Sequence, residues 1–184
     1  IKIFDFLGIV LKSWTIKVGG KGGNMSVVAA DSDNDGQVEI ITGAASGALP
    51  MVRIFDTLGK KEAEWLAFAK TFRGGVGLAV GDIDANGVKE VITAPLAGGP
   101  QIRVFSPVGK ILGQFFAFEN SFRGGATVAV GNMDADKSDE IIVGAGKGRA
   151  AEIRVFSKYG TDFVQDKMFN VFEKNFKGGI NLGI

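Results

Sequence analysis

The chain has 184 residues, 46% hydrophobic and 22% charged, which predicts a folded core, and no apolar run reaches the length of a membrane span. It contains no Cys and no His, which excludes thiolate nucleophiles, disulfides, zinc sites built from Cys and His, and every mechanism that needs an imidazole base. The net charge of +1 hides an uneven distribution: three nine-residue windows hold 11 of the 20 acidic residues and only two of the 21 basic ones, Lys89 and Lys137.

In chain order, the predicted elements recur with a period of about fifty residues, the mark of propellers, solenoids and arrays. IKIFDFLG (Ile1–Gly8) is an alternating strand closed by a Gly turn, and it returns as VRIFDTLG (Val52–Gly59), IRVFSPVG (Ile102–Gly109) and IRVFSKYG (Ile153–Gly160). KGGNMSVVAAD in the first repeat matches FRGGVGLAVGD (Phe72–Asp82), FRGGATVAVGN (Phe122–Asn132) and the shortened FKGGINLGI (Phe176–Ile184). VEIITGA (Val38–Ala44) is followed by KEVITAP (Lys89–Pro95) and DEIIVGA (Asp139–Ala145). These runs are rich in Val, Ile and Phe and bounded by Gly, Asp and Asn, so they read as strands. KKEAEWLAFAK (Lys60–Lys70) has some helical composition, but its counterpart ILGQFFAFEN (Ile111–Asn120) favours a strand, and the repeat assigns strand to both.

Each unit then has four strands, a to d, counted from the GG pair, with d around Phe68 or Phe118. The expected fold is all-β: a β-propeller of four-stranded antiparallel blades, with about 3.5 repeats. The predicted divisions are a partial blade over 1–23, blades over 24–73, 74–123 and 124–173, and a partial blade over 174–184. That sequence of strands runs c-d, three full sets, then a lone a, fifteen in all. Either the last strand completes the first pair as a composite blade, or the chain is part of something larger; the second reading is preferred. The start at Ile1 rather than Met suits a mature form or an excised segment. An incomplete ring exposes edges and blade faces, so a chain of this kind is expected to pair with copies of itself or with further repeats of a parent chain.

The acidic windows align as DSDNDGQVE, DIDANGVKE and NMDADKSDE, each between strands a and b. Alternate positions of a curled loop converge on one point, which suits a hard divalent cation that takes six to eight oxygens. Positions one, three and five supply Asp31, Asp33 and Asp35; Asp82, Asp84 and Asn86; Asn132, Asp134 and Asp136. Position seven offers the carbonyl of Gln37, Val88 or Ser138, and position nine a longer acid, Glu39, Glu90 or Glu140. Gly36 and Gly87 at position six permit the positive φ of a sharp bend. An all-oxygen set selects Ca²⁺ or Mg²⁺, and the crowd of carboxylates favours Ca²⁺, at up to three sites. The third is expected to be the weakest, because Lys137 replaces the Gly and Asn132 replaces an acid. Plain Asp-Gly and Asn-Gly hairpin turns are the competing explanation, but turn chemistry gives no reason for acids at alternating positions. The expected role of the ion is structural, tying strand a to strand b.

On these residues the chain resembles the FG-GAP repeat, also called the VCBS-type or integrin α N-terminal-like repeat. FRGG and FKGG are similar to its FG element; TGAASGALP (Thr42–Pro50), TAPLAGGP (Thr93–Pro100) and VGAGKGRA (Val143–Ala150) to its GAP element; and the acidic loops to its calcium motif. The first repeat departs in having no Phe before its GG pair, and the third loop in having no Gly. The resemblance implies a calcium-stabilised propeller from an extracellular or cell-surface protein, with an adhesion, carbohydrate-binding or scaffold role.

The expected function is therefore a non-enzymatic, calcium-binding scaffold or adhesion module with a surface glycan or a protein as ligand. The alternative is a lectin-like module in which Trp14 or Trp65 stacks on a sugar. A polysaccharide lyase or hydrolase ranks third, because the acids are already allotted to the loops by the repeat. Recurring Phe residues (Phe4, Phe55, Phe105, Phe156 and Phe72, Phe122, Phe176) read as packing between neighbouring units. Arg53, Arg103 and Arg154 follow the same period, with Lys2 at the same place, and an ion pair between units or a solvated edge that blocks aggregation is preferred over a basic stripe for an anionic glycan or surface polymer. GAGKG (Gly144–Gly148) lacks the Lys-Ser/Thr and following helix of a phosphate loop. A sequence pI near 8.1 and the lack of a groove-reading element argue against nucleic acid, and membrane insertion is not expected.

Overall fold

The computed structural model describes residues 1–16 and 25–183, and the GG pair of the first repeat, the start of the second predicted unit at 24, and Ile184 lie outside them. The described residues form fourteen strands and no helix, so no helix is long and apolar enough to cross a membrane. Strands β1 (Lys2–Phe4) and β2 (Val10–Ser13) make a hairpin. Three four-stranded antiparallel meanders follow. Sheet I is β3 (Ser26–Ala30), β4 (Glu39–Gly43), β5 (Met51–Phe55) and β6 (Lys61–Leu66). Sheet II is β7 (Val76–Gly81), β8 (Glu90–Pro95), β9 (Gln101–Phe105) and β10 (Ile111–Phe116). Sheet III is β11 (Ala126–Gly131), β12 (Glu140–Ala145), β13 (Glu152–Tyr159) and β14 (Asp162–Asn170).

The alternation of β-branched residues with small or polar ones sets these registers, since each apolar set must face a neighbouring sheet. Strands β4, β8 and β12 are buried along their whole length because they are covered on both faces. One core lies between sheets I and II, with Ile41, Val52, Ile54, Phe68, Val76, Val91 and Phe105. A second lies between sheets II and III, with Ile92, Ile102, Val104, Phe118, Val128, Ile141 and Phe156. The sheets thus pack face against face, the layering of β-sandwiches. Lys60–Lys70 contributes β6, as the repeat predicts, and Phe68 and Phe118 fall just past strands β6 and β10.

In two of the GG pairs the first Gly is required by a close approach to a neighbouring backbone. A Cβ at Gly124 would lie 1.9 Å from the Lys147 carbonyl oxygen, and one at Gly74 would lie 2.1 Å from that of Ala97. Both predicted sugar-stacking tryptophans are also packing residues. Trp14 sits against Gly59 and Phe55, and Trp65 against Gly109 and Phe105.

The β-propeller expectation is corrected. Four-stranded antiparallel units are present, but the described residues form an open row of face-packed sheets with no closed ring. Among the described residues the two ends of the row share no core. Phe6 is 96% exposed on the β1–β2 hairpin and Phe169 is 49% exposed on β14, where a closed ring would cover both ends. The composite blade is overturned with it. Residues 177–183 form no strand, and their hydrogen bonds join sheet III: Ile180 N–H donates to Ala145 O at 3.0 Å, and Thr127 Oγ1 donates to Ile180 O at 2.8 Å.

Candidate metal centres

Each acidic loop joins the first strand of a sheet to the second: Asp31–Glu39 leads into β4, Asp82–Glu90 into β8 and Asn132–Glu140 into β12. The antiparallel pairs Ala30↔Glu39, Gly81↔Glu90 and Gly131↔Glu140 hold the loop ends together. The ninth-position glutamate is anchored at that closure and buried, at 5% exposure for Glu39 and 2% for both Glu90 and Glu140. In each case Oε2 accepts the N–H of the loop's second residue: Ser32 at 2.8 Å, Ile83 at 3.1 Å, Met133 at 2.6 Å. Ser32 Oγ donates to the same Glu39 oxygen at 2.8 Å. One oxygen of each glutamate thereby closes the loop from inside.

Three acids meet in every loop. Asp31, Asp33 and Glu39 bring one oxygen each to within 4.8 Å of one another, as do Asp82, Asp84 and Glu90, and Asp134, Asp136 and Glu140. Asp35 lies outside the first group, and its Oδ1 accepts the Gln37 N–H at 2.8 Å. Asn86 Oδ1 accepts the Val88 N–H at 2.7 Å, and Asp136 Oδ1 accepts the Ser138 N–H at 2.7 Å. The seventh residues therefore turn their N–H groups onto the fifth-position side chains.

The donor set fits a hard cation. It is all oxygen, and two of its oxygens, Asp31 Oδ1 and Glu140 Oε1, are buried with no hydrogen-bond partner among the described residues, a costly state for a carboxylate that a cation would relieve. Burial pushes the Glu90 carboxyl up to about 7, and the Asp84 and Asp82 carboxylates add to the rise, against the Ile83 N–H and Lys158. Burial also raises Glu140, helped by Asp134 and Asp136 and opposed by the Met133 N–H.

Gly36 and Gly87 adopt the left-handed conformation as predicted, at φ 87° and 90°, and their N–H groups reach Asp31 Oδ2 at 3.0 Å and Asp82 Oδ2 at 2.8 Å. A left-handed residue went unpredicted at position four of every loop, in addition to the glycine in loops one and two: Asn34, Ala85 and Ala135, at φ 64°, 58° and 65°. Loop three bends without glycine because Asn132 is an amide. Its Nδ2 donates to Asp136 O and its Oδ1 accepts from Ala135 N, both at 2.6 Å. An aspartate could not donate the first of these bonds.

Sequence reasoning also missed Lys158. Its Nζ stands 3.1 Å from Asp84 Oδ2, so sheet III supplies loop two with a cation of its own. The loops are further joined to one another. Lys89 N–H donates to Ser32 O at 3.0 Å, Asp139 N–H to Asp82 O at 2.9 Å, and Asp82 N–H to Asp139 Oδ2 at 3.0 Å.

No family model matches this chain, and neither does any curated protein sequence. Similar folds occur among solved structures. The rhamnogalacturonan lyase PL11 of Bacillus licheniformis aligns at a TM-score of 0.65 and 13% identity, over 90% of this chain and 38% of that protein. Rhamnogalacturonan lyase YesW aligns at 0.61 and 14% identity, over 90% and 38%. Exotype rhamnogalacturonan lyase YesX aligns at 0.60 and 12%, over 88% and 36%. At such identities the likeness is one of fold, and the chain spans less than two fifths of each of these proteins.

Proposed function

We propose that this chain is a non-catalytic, calcium-stabilised module of an extracellular protein that binds or acts on saccharides, built from repeats of the FG-GAP type. The observation that carries the calcium reading is the threefold recurrence of one cluster: a buried glutamate and two aspartates converging at the same loop of each sheet, two of the clusters holding a buried unpartnered carboxylate oxygen. Asp31, Asp33 and Glu39, then Asp82, Asp84, Asn86 and Glu90, then Asp134, Asp136 and Glu140 would hold the ions, which supply positive charge to loops that otherwise crowd carboxylates.

The saccharide reading draws on the fold shared with three proteins named as rhamnogalacturonan lyases, of which this chain matches only a part. Catalysis is not assigned, because the acids recur in step with the sheets while a reacting centre asks for a constellation unlike its neighbours. Trp14 and Trp65 are given no sugar-binding role, since both rings are spent on packing. Titration calorimetry of the full chain with Ca²⁺ and with Mg²⁺, followed by binding to pectic and neutral polysaccharides in calcium, tests both halves. Calcium heat with a preference over Mg²⁺, and retention on a polysaccharide, are expected. No heat overturns the metal reading, and no retention overturns the saccharide reading.

A further inference from the structure

The two clefts between consecutive sheets are built on the same plan and filled differently. Between sheets II and III, Arg154 lies over the Phe118 ring, 5.0 Å from its centroid, and its Nη1 donates to Ala117 O at 2.9 Å. Glu152 pairs with Arg154 Nε, and Glu119 stands 3.8 Å from its Nη2. Arg149 stacks on Phe118 at 4.5 Å and Phe122 at 5.4 Å, and pairs with Glu119 and Glu152. That cleft is closed by the chain's own ions.

Between sheets I and II the arginine is kept and its partners are not. Arg103 lies over Phe68 at 5.5 Å, and its Nη1 donates to Ala67 O at 3.0 Å. By repeat position, Ala69 stands where Glu119 does, Gln101 where Glu152 does, and Gly99 where Arg149 does. No carboxylate lies within ion-pair distance of Arg103 among the described residues, and its Nε is buried with no partner. Burial without a neighbouring anion draws its pKa below the usual guanidinium value. The space left is a cavity of about 270 Å³ bordered by Phe68, Phe72, Gln101, Arg103, Asn120 and Arg123.

We propose that this cleft binds one carboxylate-bearing sugar ring, a uronate, whose carboxylate takes the place at Arg103 that Glu119 and Glu152 hold at Arg154. Arg123 adds a second positive charge at the cavity and no acid lines it among the described residues, so an anion is favoured. Phe72, only partly buried at the cavity, offers a face like the one its counterpart Phe122 gives the Arg149 guanidinium in the neighbouring cleft, suited here to the apolar face of a pyranose. Gln101 and Asn120 are amides able to donate to and accept from ring hydroxyls. The volume sits at the small end of ligand pockets, about 300 Å³ and upward, which suits a single ring. The sugar body rests on the saccharide reading above; the carboxylate rests on the cleft alone.

The test is a titration of the full chain in calcium with D-glucuronate and D-galacturonate, against glucose, galactose and N-acetylglutamate amide, for the natural sequence and for Ala69→Glu and Arg103→Gln. Ala69→Glu plants the missing carboxylate and should raise the melting temperature while weakening uronate binding about tenfold or more. Arg103→Gln should weaken it likewise, and because this change also removes packing on Phe68, the Ala69→Glu result stands as the check that needs no loss of fold. Equal binding of uronate and neutral sugars, or uronate binding untouched in Ala69→Glu, overturns the proposal. Tighter binding of the glutamate amide than of either uronate also overturns it and assigns the cleft to an acidic protein segment. Failure here with retention on neutral polysaccharide removes the cleft assignment and leaves the proposed function standing.

Discussion

Loops two and three perform the same turn by different means, and the contrast separates what the fold needs from what a cation needs. Loop two bends on Gly87, aims Asp82 at its own backbone N–H groups, and leans a lysine from the next sheet on Asp84. Loop three does without the glycine by folding the Asn132 amide onto Asp136 O and Ala135 N. Both deliver two aspartates and a buried glutamate to one point. The bend is therefore replaceable, while the converging oxygens recur, as expected if the oxygens are kept for a ligand and the bend only for delivery.

The largest effect expected from this contrast is on stability. Excess chelator should lower the melting temperature by roughly 10 to 30 °C if all three sites are filled, since each saturated site adds about 2 to 3 kcal/mol and a domain of this size shifts about 2 to 4 °C per kcal/mol. A scan unchanged by EDTA would break the comparison, because neither loop would then serve an ion.

Next in size, Asp82→Ala should cost about 2 to 3 kcal/mol in urea denaturation with calcium present, through loss of a charge-assisted bond to the loop backbone and of a ligand. Asn132→Ala should cost about 1 kcal/mol and leave cation binding in place. Equal losses would show that the two first positions do the same work.

The pH response comes third. Glu90 titrates near 7 in the fold against 4.5 for an ordinary glutamate, so between those values the metal-free native state holds more protons than the unfolded chain. Stability of the metal-free protein is then full below about pH 4.5 and falls as pH rises through 7, on account of this group. Calcium should reverse the trend by favouring the carboxylate, and denaturation midpoints at pH 5 and 7.5, with and without the ion, measure it. Glu90→Gln should flatten the metal-free slope.

The smallest effects lie in tuning. Lys158→Met removes the lysine from Asp84, and Lys137→Gly restores the turn residue of the other two loops. Each should tighten cation binding several-fold, about 1 kcal/mol, in its own loop. An unchanged affinity in Lys158→Met would mean that its Nζ stands aside when the cation arrives.

The strands and acidic loops were legible because both repeat: the spacing of Val, Ile and Phe marks each strand, and Asp82–Glu90 can be aligned with Asp31–Glu39 by eye. Closure into a ring was not. It depends on what covers the β1–β2 hairpin and the outer face of β14, and no local propensity speaks to that. The Lys158–Asp84 pair was also hidden, since 74 residues separate the partners and Lys158 has no basic counterpart at Thr57 or Pro107. The open cleft was within reach. Ala69 against Glu119, and Gln101 against Glu152, are breaks in the repeat that could be read as a removed partner once Arg103 is seen to persist.

The backbone bonds from Lys89 to Ser32 and from Asp139 to Asp82 make each loop the anchor of the next. Loops strung together like this are expected to fill in concert. An ion seated in the middle one narrows the wandering of both flanking turns before they meet their own, and the binding curve of the whole molecule should be steeper than three separate sites would draw.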